Sequence, residues 1–313
     1  MWKYIMKRIL ISLIVLFGIS IIAFFLVRLV PGDTVTAMLG VNYNEAQAEQ
    51  LRAKYGLDRP IPVQYGLWIS NVIKGDFGRS FFTQKPVLNS IMLRLPVTLQ
   101  LMGMSLIYCI FIAIPLGTIA AVKRNSWADY GASIMGLLGV SVPNFWLGTI
   151  MILFLSLKLK WFPSGGFVPF TESIISNLHY MFMPSIALGA AVGAVIMRMT
   201  RSSMLEVMGQ NYIEMARAKG VPDKRLIISH ALKNALIPVI TVLGIQMGYL
   251  LGGSVVIEQI FSLPGVGRLA LQAISNRDYA LMQGTILFVA SGFVLINLFV
   301  DIIYAVIDPR IKY

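Results

Sequence analysis

Residues able to do acid–base, nucleophilic or metal chemistry are few and scattered in this 313-residue chain. Its two histidines, His179 and His230, stand far apart, no HExxH occurs, and the single cysteine, Cys109, sits inside an apolar run. One cysteine excludes a disulfide framework and a cysteine-built metal site within one chain. No Gly-Lys pair occurs, so a Walker A phosphate loop is absent. These pieces assemble into no catalytic constellation. Two other kinds of chemistry remain. One is the electrostatics of a polar, cationic stretch, residues 211–238 (NYIEMARAKGVPDKRLIISHALKNALIP), set between strongly apolar segments and readable on its own as a solvated loop. The other belongs to polar groups on apolar segments, Glu258, Asn297 and Asp301, because charge inside a bilayer is costly and tends to be functional.

Local propensity shapes the cationic stretch. Residues 212–219 contain good helix formers (Glu214, Met215, Ala216, Arg217, Ala218, Lys219) and stop at Gly220, a natural C-terminal cap. Pro222 and Asp223 suit the first turn of a second helix, where a missing N–H costs nothing and an acid meets the positive helix end. Leu226, Ile227, Ala231, Leu232, Ala235 and Leu236 give that second helix an apolar face.

The surrounding chain is 57% apolar and 13% charged, with a mean hydropathy of +0.76. Soluble domains carry about 25% charged residues, so lipid is the main solvent here. The net charge of +12 then reports loop charge and not nucleic-acid binding. Six apolar runs are long enough to span: 9–30, 97–122, 131–157, 181–199, 237–260 and 284–307. The first is followed by Pro31-Gly32-Asp33 where a cleaved signal would have a small-residue site, so it is expected to be retained. Arg28 near its end is expected to snorkel to the outer interface. The run 131–157 is interrupted at Pro143-Asn144, which reads as a kink or as a short helix before the true span. Span 181–199 is rich in small residues and reads as a close helix-packing face.

Between the first two spans lies a long polar segment, 31–96, with five acidic and seven basic residues. Asn42 and Glu45 have capping-box spacing, and Gly56 closes the helix they open. Pro60 and Pro62 start another, whose face of Trp68, Ile69, Val72 and Ile73 belongs on the membrane surface or against the bundle. Residues 158–180 and 262–283 read as outer loops, and 203–236 as a loop on the opposite side. Glu258 falls near the outer end of its span, where it either faces water or serves a gate. Asn297 and Asp301, four apart, share a face expected to point into the bundle.

Several of these stretches resemble a known family. Glu214-Met215-Ala216, three residues, then Gly220 is similar to the EAA…G loop of ABC-importer membrane subunits, with Met215 in place of the first alanine. ARAKG and HALKNALIP resemble the branch that imports dipeptides, oligopeptides, nickel and glutathione; Lys233 stands where relatives outside that branch carry proline. LDRPIPVQYGLWISNVIKGDFGRS, GGSVVIEQIFSLPGVGRL and INLFVDIIYAVIDPRIKY resemble the same branch, so the likeness covers nearly the whole chain. It implies an all-α polytopic membrane protein of about six spans with the type I importer permease fold, and a non-catalytic subunit. It implies a second homologous permease as partner, two ATPase subunits that hold ATP and Mg, and an extracytoplasmic substrate-binding protein facing residues 31–96. The site residues it implies are Tyr212, Glu214, Met215, Ala216, Lys219 and Gly220, coupling this chain to an ATPase. Glu214 would offer a charge to the ATPase groove, Ala216 would permit close approach, and Gly220 would set the turn.

Charge distribution gives the orientation. With both termini in the cytoplasm, fourteen basic residues of the termini and inner loops fall on one side, while the two short outer loops hold Lys158, Lys160, Arg268 and Arg277. Peptides are the default substrate that the likeness implies, with nickel or glutathione as the alternative within the family. An ion-coupled transporter or channel is the alternative class, and it needs strongly polar groups near mid-bilayer. Glu258 and Asp301 are both close to helix ends.

Overall fold

The computed structural model describes residues 2–29, 34–39 and 44–307. Asn42, Asp308, Arg310 and Lys312 lie outside the described residues. In chain order the helices are α1 (Trp2–Leu29), α2 (Thr34–Leu39), α3 (Glu45–Tyr55), α4 (Ile61–Ile73), α5 (Val87–Val122), α6 (Trp127–Ser141) and α7 (Asn144–Met151). A π-helical turn, Ile152–Lys158, continues α7. Then come α8 (Ile174–Met208), α9 (Asn211–Ala218), α10 (Asp223–Arg225), a second π-helical turn (Leu226–Leu232), α11 (Lys233–Ile260), α12 (Val266–Ser275) and α13 (Tyr279–Ile307). No strand occurs among the described residues; Arg79 and Pro86 form an isolated bridge.

Among the described residues, five helical stretches are long and apolar enough to cross a bilayer: Ile5–Arg28, Val87–Val122, Ile174–Met208, Asp223–Ile260 and Tyr279–Ile302. The pair α6 and α7 makes a sixth if counted as one broken span, bent by 105°. The bend answers the question left open at Pro143. Val142, ahead of the proline, is extended (φ −86°, ψ 121°), as the ring demands of its predecessor, and Asn144 starts a new helix. This is a polytopic, all-helical membrane protein.

The chain divides into two compact units, Met1–Thr98 with Pro264–Leu298, and Leu99–Leu263 with Phe299–Tyr313. In the first unit, α3 opens at Asn44, whose side chain accepts from the Ala46 N–H, and closes at Gly56 with φ +66°. The aromatic face of α4 lies on α1: Tyr65 and Trp68 stand 5.2 and 5.7 Å from Phe24, centroid to centroid. Arg28 does not extend away from the helices. Its guanidinium lies 3.5 Å over the Phe24 ring and hydrogen-bonds Gln64 of α4. The loop read at 262–283 contains α12, which buries Val266, Leu269 and Ala273 against Val27, Val87 and Ile91.

Asp278 ties this unit together. It is buried, and its Oδ1 accepts from the Leu281 N–H as the N-cap of α13. The same carboxylate accepts from the Ser80 hydroxyl at 2.5 Å and from the Phe81 N–H at 3.2 Å.

In the second unit α8 is the central helix. Its small residues let neighbours approach until no side chain fits between. A Cβ on Gly189 would sit 2.9 Å from the Ser105 carbonyl oxygen of α5, and one on Gly139 of α6 would sit 2.8 Å from the Ala194 Cβ. The Cys109 thiol donates to the Gly189 carbonyl at 3.2 Å, so the lone cysteine is a buried packing group. An apolar cavity of about 230 Å³ between α5, α6 and α8 is bordered by Tyr108, Met135 and Met197.

Candidate functional site

The expected docking residues stand on one short helix whose two faces differ sharply. Met208 ends α8, and Gln210 is extended (φ −84°, ψ 145°), which turns the chain out of α8 and into α9. Ile213 is 1% exposed and reaches a cluster made of Ala121, Met204, Leu226, Ala231 and Ala235. The ends of α5 and α8, the π-helical turn and the start of α11 thus meet beneath one isoleucine. Burying such a side chain is worth about 1.5–3 kcal/mol, enough to fix an eight-residue helix that could not hold its shape alone.

The opposite face is open. Glu214, Arg217, Ala218 and Lys219 are exposed, and Met215 is 59% exposed, an apolar knob among charges. Ala216, expected to face a partner, is half-buried against this chain's own cluster.

The C-terminus of α9 is closed twice over. The Gly220 N–H donates to the Arg217 carbonyl at 3.0 Å and the Val221 N–H to the Ala216 carbonyl at 3.2 Å. With Gly220 at φ +80°, this is a Schellman motif. Its customary apolar contact is present too, since Val221 and Ala216 pack on the same cluster. Gly220 is needed for its dihedral and not for space, because nothing lies within 4 Å of the Cβ it lacks.

Beyond Gly220, Leu226–Leu232 is π-helical. A π turn pairs residues five apart, and Leu226 and Ala231, five apart, are both buried in the cluster. Helix α11 then continues as a span. Tyr212, 39% exposed, braces α9 from outside: Asn234 Nδ2 donates to its phenol oxygen at 3.0 Å, and the phenol donates to the His230 carbonyl at 3.4 Å.

A feature that sequence reading missed supports the same region. Asp129, in the first turn of α6 and ahead of the apolar run that opens at Gly131, is 3% exposed. Arg201 of α8 grips it bidentately, Nε to Oδ1 at 2.6 Å and Nη2 to Oδ2 at 2.9 Å. The Asn125 N–H adds a third donor at 3.0 Å. The Arg201 hydrogen bond, helped by that of Asn125, holds the carboxyl down at about 2.

The remaining expected residues lie elsewhere. Glu258 on α11 is fully buried, so it does not face water. Asn297 and Asp301 on α13 are half-buried, turned from the most exposed face, which carries Leu295 and Phe299. None of the three belongs to the cluster around α9. No group of His, Cys, Asp or Glu that could hold a metal occurs among the described residues.

A bundle of apolar spans with one braced helix, charged and exposed on its outer face, describes a polytopic membrane protein. Residues 113–313 match the family described as "Binding-protein-dependent transport system inner membrane component", and residues 1–102 match its N-terminal counterpart. This chain belongs to that family, as a multi-pass inner-membrane permease component. It is 43% identical to the oligopeptide transport system permease protein AppB of Bacillus subtilis over 316 residues, covering all of both chains. It is 40% identical to the glutathione transport system permease protein GsiC of Escherichia coli (strain K12), again over the whole of each. The fold is similar to that of a chain in the inward-facing MetNI methionine ABC transporter, with a TM-score of 0.58 and 20% identity. That likeness covers 70% of this chain and 96% of the other.

Proposed function

We propose that this chain is one membrane half of an ATP-driven importer that carries di- and oligopeptides into the cytoplasm. A second homologous permease completes the pathway, two ATPase subunits supply ATP and Mg, and an extracytoplasmic binding protein delivers substrate to the side of residues 31–96. Both termini and residues 203–236 lie in the cytoplasm. The peptide assignment leans on AppB, whose name assigns it to oligopeptide transport.

One observation carries the energy-coupling reading: α9 is fixed to the bundle on one face and bare on the other. Glu214, Met215 and Lys219 engage an ATPase groove. Ile213 passes the displacement to α8 through Met204, to α11 through Leu226, Ala231 and Ala235, and to α5 through Ala121. Because one apolar cluster joins these elements, a push on α9 moves them together and not singly. Such a push can bias a bundle with two discrete arrangements.

The test is uptake by proteoliposomes containing the complete transporter and its binding protein. Labelled di- and oligopeptides should accumulate only with ATP, and glutathione should not compete. Competition by glutathione at equal concentration would move the substrate to the GsiC type. Flux through this chain alone, with no ATPase present, would overturn the coupling reading.

A further inference from the structure

The turn between α5 and α6 presents a sequence of chemistries along one face. From Ile134 and Leu137 through Tyr130 to Trp127, exposed side chains recur at helical spacing on α6. The opposite face, with Asp129, Ala132 and Gly136, is buried, and Gly136 lies against Met197 and Arg198 of α8. No described residue covers the exposed stripe, which is open to the acyl chains of a surrounding membrane.

At the end of the stripe Trp127 is 91% exposed and meets Tyr130 edge to face, with centroids 6.5 Å apart. Amphipathic rings of this kind sit at headgroup level. Past them come Lys123 and Arg124, both exposed. Their turn is closed by Asn125 at φ +59° and by the Ser126 hydroxyl, which donates to the Lys123 carbonyl at 2.6 Å.

Lys123 and Arg124 make no ion pair among the described residues, although the charge of Arg124 reaches Asp129 and helps hold its carboxyl down. Asp129 is the only acid in residues 123–141, and both its oxygens are taken by Arg201 and Asn125. The Asp129–Arg201 pair thus keeps the local charge positive while fixing the turn's shape.

We propose that Lys123 and Arg124 bind the phosphate headgroup of an anionic phospholipid whose chains run along the α6 stripe, with Trp127 and Tyr130 at the glycerol level. Cations, amphipathic rings and an apolar stripe follow one another in the order of headgroup, interface and chain. The uncompensated positive charge selects anionic over zwitterionic lipid, each cation near such a surface favouring it about fivefold. This site depends on the chain's spanning a bilayer and not on what is transported. Ala121 packs in the cluster beneath Ile213, so the lipid holds a turn adjoining the docking helix.

The complete transporter in nanodiscs tests this, with brominated phosphatidylglycerol or brominated phosphatidylcholine as quencher. The signal of Trp127 is taken as the difference between the wild type and W127F. Phosphatidylglycerol should quench Trp127 preferentially, and K123Q/R124Q should reduce that preference by up to roughly 30-fold. The variant should keep its quenching by phosphatidylcholine, which shows that the stripe still faces lipid. Equal quenching by both lipids in the wild type, or an unchanged preference in K123Q/R124Q, overturns the proposal. So does the absence of quenching by either lipid, which would mean that a protein partner covers Trp127.

Discussion

Asn234 of α11 donates its side-chain amide to the phenol oxygen of Tyr212 on α9 at 3.0 Å, and the same amide donates to the His230 carbonyl at 2.8 Å. One side chain therefore ties the exposed helix α9 to the head of a transmembrane span. Ile213 resists separation of α9 from the bundle, whereas this bond resists its rotation about that anchor. Removing the phenol oxygen alone should leave the helix seated but free to turn. Tyr212→Phe should cost about 1 kcal/mol or less of stability, since the bond is exposed to water. It should lower peptide uptake a few-fold in proteoliposomes of the complete transporter while ATP hydrolysis persists. Equal uptake per ATP hydrolysed in Tyr212→Phe and wild type would show that the brace plays no part in coupling.

Gly220 makes a prediction that separates backbone from bulk. At φ +80° with open space around its missing Cβ, the position refuses side chains on conformational grounds only. Gly220→Ala should cost about 1–2 kcal/mol, and Gly220→Asn less, because asparagine tolerates the left-handed region. Gly220→Pro should do far worse. It fixes φ near −65° and removes the N–H that donates to Arg217, which breaks the cap. Ranking the three by uptake per ATP hydrolysed should give Asn, then Ala, then Pro. A proline variant with full uptake would overturn the coupling role proposed for α9.

Asp129 fixes a pH dependence. Its carboxyl, held at about 2 against about 3.9 in an unfolded chain, stabilises the fold when ionised. That contribution is complete above about pH 4 and is lost as pH falls through about 2. The difference in unfolding temperature between wild type and Asp129→Asn should then be constant from pH 5 to 8 and shrink below pH 4, as melts of the purified protein can show. A difference that varies across neutral pH would mean that another titrating group is coupled to the pair.

Much of this arrangement is legible from the sequence, and what is hidden has a common cause. Residues 212–220 announce a short capped helix through local propensity, and the spans announce themselves through length and hydropathy. Pro143 signals a break, though only the extended Val142 shows that the break is a turn. Helix α12 falls where the sequence reads as an outer loop, although Val266, Leu269 and Ala273 recur there at helical spacing. The seating of α9 is not legible. The apolar face read over Leu226 and Ala231 is present, but the π-helical turn that sets these two residues beneath Ile213 has no local sequence mark. Ala216 looked available for a partner because nothing local says which side of an eight-residue helix is buried. The Asp129–Arg201 pair joins residues 72 apart, and no local pattern marks such a partner.

A long-range tie of this kind joins Ser80 and Asp278, 198 residues apart and both buried. Asp278 serves two elements at once, capping α13 through Oδ1 and holding the turn after α4 through Oδ2. Asp278→Ala removes the cap, at about 1 kcal/mol. It also leaves the Ser80 hydroxyl buried without its acceptor, at about 1–3 kcal/mol more. Ser80→Ala leaves the cap in place and should cost less. Since the two residues share one bond, the double variant should be less destabilised than the sum of the singles, by about 0.5–3 kcal/mol. Thermal melts of the four proteins in one detergent measure that term. Strict additivity would show that the cap and the turn are held independently, and Asp278 would then act on α13 alone.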